Sequence, residues 1–159
     1  MIKNERKQRI LIIDDEPLNI KVLAQQLKDD FEVIIATSGD DGLDRAQLTP
    51  QPDLILLDVV MPDRDGYSVC RKLKSTPSTK EIPVIFITAK TEDSDEARGL
   101  EYGAIDYIKK PFNISVVMAR VRTHLMLKMQ RDLIHRLLKE KTAELEEYEK
   151  EYMRLFQRE

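Results

Sequence analysis

Residues 54–66 read LILLDVVMPDRDG, and this stretch decides the fold. Leu54 to Leu57 are consecutive aliphatic residues with no polar alternation. That pattern is a short strand buried on both faces. Asp58 follows at once. Gly66 then ends the loop after Pro62 and suits a tight backbone turn ahead of a helix. A strand covered on both faces needs helices on either side of its sheet.

The same pattern recurs in both directions along the chain. Arg9–Ile13 (RILII), 31–36 (FEVIIA), 84–87 (VIFI) and Asp106–Lys109 (DYIK) read as further strands. The segments between them have helical spacing. Leu18, Val22, Leu23 and Leu27 form one stripe, and Leu43, Ala46 and Gln47 a weaker one. Tyr67, Cys70, Leu73 and Lys74 suggest a third helix; Ala97, Leu100 and Glu101, ended by Gly103, a fourth; Ile114, Val117, Met118 and Val121 a fifth. Five strands alternating with five helices predict an α/β fold, a (βα)5 doubly wound parallel sheet. A flavodoxin-like strand order, 2-1-3-4-5, sets strands one and three side by side.

The chain has 159 residues, with 26 basic and 29 acidic side chains, hence a net charge of −3. Hydrophobic residues make up 42% and charged residues 35%. The charge is well above the usual quarter, and the excess is local. From Ile114 onward there is no Pro or Gly, and Glu, Lys, Arg and Leu dominate. Mild acidity argues against direct nucleic-acid binding. No apolar run approaches a membrane span. The charged start, 1–9, is no signal peptide. A single cysteine, Cys70, excludes an internal disulfide framework and a cysteine metal site, and His124 and His135 leave little for a histidine one. A cytoplasmic location is expected.

In such sheets, ligands bind beyond the carboxyl ends of the strands. Asp14, Asp15 and Glu16 follow the first strand, Asp58 the third, Thr88 the fourth, and Lys110 and Pro111 the fifth. Strand order 2-1-3-4-5 makes Asp14, Asp15 and Asp58 converge. Carboxylates that close repel unless a cation or proton intervenes. An all-oxygen set favours a hard ion, Mg²⁺ above all. A hydroxyl from Thr88 and an ammonium from Lys110 complete a set suited to a transferring phosphoryl group, with Asp58 as the nucleophile. The bland alternative is that an acid after a buried strand simply caps the next helix, and Pro17 suits a helix's first turn. Agreement across several strand ends favours the functional reading.

At this point the sequence resembles the receiver domain of two-component response regulators. The matching pieces are LIIDDEP (11–17), LILLDVVMPDRDG (54–66), VIFITA (84–89) and GAIDYIKKPF (103–112), in the family's order and spacing. The resemblance covers roughly 8–124. It implies that Asp58 is the phospho-acceptor and that Asp14 and Asp15 hold Mg²⁺ together with Asp58 and the backbone carbonyl of Val60. It implies that Thr88 is the switch hydroxyl, followed by the small Ala89, that Lys110 contacts phosphate, and that Tyr107 is the switch aromatic. The Lys110–Pro111 bond would be cis. Val60 and Lys90 stand where the family tunes phosphoryl lifetime. The partner would be a sensor histidine kinase or a phosphotransfer protein, acting as phosphohistidine donor.

Domain boundaries are expected at 1–124 for the receiver and 125–159 for a helical extension. Positions 127, 131, 134, 138, 141, 145, 148, 152 and 155 read Leu, Arg, Ile, Leu, Lys, Leu, Tyr, Tyr and Leu. This is a coiled-coil seam, running about 42 Å at a rise of about 1.5 Å per residue. It predicts a parallel homodimer, with Arg131 and Lys141 weakening the seam. The extension would link the receiver to an output domain absent from the chain. Receivers with such a tail resemble the input half of cyclic-dinucleotide enzymes, serine phosphatases or hybrid kinases. The chain itself is expected to be a signalling domain that catalyses only its own phosphorylation and dephosphorylation. Neither His124 nor His135 has the acidic neighbour typical of a kinase phospho-acceptor.

Three other readings compete. A haloacid-dehalogenase-like phosphatase needs a second acid two residues after its nucleophile, where this chain has Val60. A flavin module needs a phosphate loop after the first strand, where Asp14, Asp15 and Glu16 would repel one. A structural dimerisation module that never accepts phosphate is the remaining alternative, and the intact acidic set argues against it.

Overall fold

The computed structural model describes residues 6–89 and 93–157, the side chains of 93–96 excepted. Along the chain come β1 (Arg9–Ile13), α1 (Pro17–Leu27), β2 (Glu32–Ala36), α2 (Gly39–Gln47), β3 (Leu54–Leu57), α3 (Gly66–Ser75), β4 (Val84–Thr88), α4 (Asp93–Glu101), β5 (Asp106–Lys109) and α5 (Ile114–Phe156). All strand pairs are parallel, in the order β2-β1-β3-β4-β5. The flavodoxin-like (βα)5 topology read from the sequence is therefore the observed one. Continuous aliphatic runs sit where the sheet is covered on both faces: every residue of β3 and β4 is buried. The edge strands β2 and β5 are only partly buried, because each has a neighbour on one side alone.

Alternation along the strands sends Leu11, Ile13, Ile55, Leu57, Val84 and Phe86 to one face. There they pack with Ala46 of α2 and Tyr67, Val69, Cys70 and Leu73 of α3. The crossover through α1 runs in the opposite direction to those through α2, α3 and α4. With right-handed connections, α1 then covers the other face. An ion pair from Arg122 to Asp30 (2.7 Å) ties the first part of α5 to the α1–β2 connection.

Two helices depart from the expected stripes. In α1, Ile20, Leu23 and Leu27 are buried, whereas Leu18 and Val22 are exposed. At 3.6 residues per turn, Leu18 and Val22 lie roughly half a turn from Ile20. In α4, Ala97, Leu100 and Glu101 are exposed and Gly99 is buried. A Cβ added at Gly99 would lie 3.0 Å from Phe86 Cδ2. This helix approaches the sheet through a residue with no side chain, which a search for apolar spacing cannot see.

Cys70 is fully buried on α3, and its Sγ donates to the Tyr102 carbonyl at 3.4 Å. Burial pushes its thiol up to about 11.

The chain divides into two compact units, Met1–His124 and Leu125–Glu159. In the second, Leu127, Ile134, Leu138, Leu145, Tyr148, Tyr152 and Leu155 are all exposed. Lys128–Asp132 and Lys141–Glu144 pairs brace it, and Tyr152 packs on Phe156 with ring centroids 4.6 Å apart. Among the described residues, no helix is long and apolar enough to cross a membrane.

Candidate functional site

The site is built at the carboxyl ends of β1 and β3. Ile13 pairs with Leu57 in register, so the residues after them emerge side by side. The Asp58 N–H donates to the Ile13 carbonyl at 2.9 Å, and the Asp14 N–H to the Ala36 carbonyl at 3.2 Å. Asp14 and Asp58 are 2% and 6% exposed, which is unusual for carboxylates. Asp15 is exposed. Carboxylate oxygens of Asp14, Asp15 and Asp58 all lie within 4.8 Å of one another. Lys110 reaches in from the end of β5. Its Nζ donates to Asp14 Oδ2 at 3.1 Å and to Asp58 Oδ2 at 3.2 Å. The Lys110–Pro111 peptide is cis, as is Thr49–Pro50.

Neither aspartate of the first strand caps α1. The N-cap is Glu16, whose side chain takes no backbone N–H of the helix and accepts instead from Asn19 Nδ2 at 2.7 Å, while Asp14 Oδ1 accepts from the Glu16 N–H at 2.9 Å. Asp58 Oδ1 accepts from the Val60 N–H at 3.2 Å. Each buried carboxylate thus uses one oxygen on its own loop and turns the other toward Lys110. Burial holds Asp58 above the usual carboxylate range, and the Asp14 charge adds to this, while Lys110 opposes it. Burial alone would lower the Lys110 ammonium, but Asp58 and Asp14 more than offset it and hold it above its ordinary value. Among the described residues, three clustered carboxylates face one ammonium, a surplus of negative charge in a partly dry site. The donors are all oxygens. The set fits a hard divalent cation of the Mg²⁺ type.

Thr88 is fully buried at the end of β4, and its carbonyl accepts from the Lys110 N–H at 2.9 Å. Tyr107 lies inward, 7% exposed, with its ring edge-on to Phe86 at 6.4 Å. Val60 is exposed on the loop after Asp58. Gly66 closes that loop: its N–H donates to the Val59 carbonyl at 2.7 Å, and an added Cβ would lie 2.2 Å from the Asp58 carbonyl oxygen. No side chain fits there.

The sequence matches the response regulator receiver domain family over residues 10–122. The chain belongs to that family. The receiver is 43% identical over 125 residues to a Vibrio cholerae serotype O1 protein named "Probable cyclic di-GMP phosphodiesterase", covering 79% of this chain and 28% of that one. It is 45% identical over 116 residues to the response regulator PleD of Caulobacter vibrioides, covering 72% and 25%. The chain therefore spans about a quarter of the length of these two relatives. Its fold is similar to the BeF3-activated N-terminal receiver domain of Klebsiella pneumoniae RstA. There the TM-score is 0.67 and the identity 33%, covering 74% of this chain and 98% of that one.

The receiver brings together four residues named from the sequence: Asp14, Asp15, Asp58 and Lys110. Thr88 lies at the end of the adjoining strand, and Tyr107 two places before the end of β5. Lys90 falls outside the described residues. His124 serves another contact, with its Nε2 2.9 Å from Asp106 Oδ2, beside the Arg120–Asp106 ion pair. Asp63, whose carboxylate reaches α2, carries no such signal in the sequence. In PDRDG it looks like one more turn residue. Nothing local in the sequence says that the start of α2 lies beside it.

Proposed function

We propose that this receiver accepts a phosphoryl group on Asp58 from the phosphohistidine of a sensor histidine kinase or a phosphotransfer protein. The observation that carries this is the pair of buried carboxylates, Asp14 and Asp58, sharing Lys110 at adjoining strand ends. Buried like charges are costly unless they are used. Asp14, Asp15, Asp58 and the Val60 carbonyl are the residues that would hold Mg²⁺, which when bound neutralises phosphoryl-oxygen charge. An Asp58 oxygen attacks phosphorus. The P–N bond to the donor imidazole breaks, and its electron pair returns to the imidazole nitrogen. Lys110 and Thr88 donate to the phosphoryl oxygens as charge builds on them. The product is an acyl phosphate on Asp58, later hydrolysed by water. Thr88 and Tyr107 report the new state to the β4–β5 side of the sheet.

The receiver corresponds to 1–124 and the helical extension to 125–159. The exposed apolar seam on α5 supports homodimerisation through that helix and transmission of the state along it. Relatives about four times the matched length, one of them named for cyclic di-GMP, favour control of a cyclic-dinucleotide output. On this reading the protein is cytoplasmic and its own chemistry is confined to Asp58.

The test is phosphorylation by a small phosphodonor with Mg²⁺, read on a phosphate-retarding gel. Wild type should shift and Asp58→Asn should not, with chelation abolishing the shift. If wild type fails to shift, the protein is instead a dimerisation module with a receiver fold.

A further inference from the structure

The loop after Asp58 is fixed at both ends. At its base, Gly66 bonds to Val59 and Val60 to Asp58, as described above. At its tip, Asp63 reaches out to a different element. Its Oδ1 accepts from the Gly39 N–H and its Oδ2 from the Asp40 N–H, both at 3.3 Å. Beside it, Arg64 Nε pairs with Asp40 Oδ1 at 3.0 Å. Gly39 lets the two elements approach: an added Cβ would lie 2.8 Å from Val69 Cγ2 and 3.1 Å from Arg64 Cβ.

These N–H groups open α2 and have no acceptor within the helix. A carboxylate there also meets the positive end of the helix dipole. Although burial acts to raise it, the Gly39 and Asp40 N–H groups hold the Asp63 carboxyl below its usual value. Yet α2 has its own N-cap, because Ser38 Oγ accepts from the Asp41 N–H at 3.1 Å. Asp63 is therefore not what starts the helix. What it adds is a tie between α2 and the loop. Between the base of that loop and its tip lie Val60, which is exposed, and Met61, which is buried.

We propose that Asp63 is a positioning residue for the site: it anchors the loop tip to α2 and so sets the backbone at Val60, a residue placed above among the Mg²⁺ ligands. This rests on the receiver chemistry proposed in the preceding section. Residues that orient metal ligands without touching the metal typically change affinity by about 10- to 100-fold. The tie here is long and solvent-facing, so the lower end applies.

The experiment is an NMR titration of the isotope-labelled full chain with Mg²⁺, reading Kd from amide shifts near Asp14 and Asp58. Asp63→Ala should raise Kd about tenfold, and Asp63→Asn, which keeps one acceptor oxygen, should fall between wild type and Asp63→Ala. Ser38→Ala removes the ordinary cap, so it should lower Tm yet leave Kd within about twofold of wild type. Equal Kd values for Asp63→Ala and wild type overturn the inference alone. So does a Ser38→Ala Kd that rises as far as that of Asp63→Ala, since α2 stability would then explain both. A wild-type chain with no saturable response overturns the site chemistry and the inference together.

Discussion

Asp58 holds its position against its own solvation. It is nearly dry, it faces Asp14, and one ammonium serves both. Its raised pKa means that the folded state binds this proton more readily than the unfolded chain does. The stabilisation linked to that proton is complete below the unfolded value of 3.8 and is lost as pH rises through the higher folded value. At neutral pH the Asp58 charge therefore destabilises the metal-free protein. Asp58→Asn should stabilise it by on the order of 1 kcal/mol, about 3–5 °C in Tm, measured by thermal unfolding at pH 7 with chelator. The gain should shrink as pH falls toward 4. A loss of stability at pH 7 would contradict the arrangement described. Asp106 behaves oppositely. Burial acts to raise it, but Arg120 and His124 hold it below the usual range. Its contribution is present above 3.8 and fades as acid takes it through the lower folded value.

At the scale of elements, what the sequence showed and what it hid have a common cause. Strands β1, β3 and β4 were legible because burial on both faces leaves an unbroken aliphatic run. The acids at their ends were legible because polar groups directly after such a run stand out. Helix faces were less so. On α1, apolar residues occur on both sides of the helix, and only the packed structure shows that Ile20, Leu23 and Leu27 face inward. On α4, contact is made through Gly99, and an absent side chain has no hydropathy. Asp63 stayed hidden because its partners, Gly39 and Asp40, are more than 20 residues away. The α1 assignment has a direct check by chemical denaturation. Leu23→Ala should destabilise by about 2–4 kcal/mol. Leu18→Ala should stay within about 0.5 kcal/mol of wild type. Equal losses would return Leu18 to the core.

For the whole molecule, the extension raises the question of association. Leu127, Ile134, Leu138, Leu145, Tyr148, Tyr152 and Leu155 leave a long apolar face exposed on one chain. Isolated helices gain little from propensity alone, and packing is what stabilises most of them. Sedimentation velocity should therefore find a dimer at micromolar concentration. Leu138→Glu combined with Leu145→Glu should weaken self-association at least about tenfold, as two charges forced into an apolar seam would, while leaving the unit Met1–His124 folded. If the double variant sediments like wild type, the seam is not the contact. Such work has a practical ally in Cys70. The chain has no other cysteine, and this one is sealed on the buried face of α3 with its thiol pushed up to about 11. At neutral pH it presents almost no thiolate to a reagent. A cysteine placed on the loop at Val60, or anywhere along the seam, would be the one position to take a fluorophore or spin label. The native protein is thus its own silent background for distance measurements.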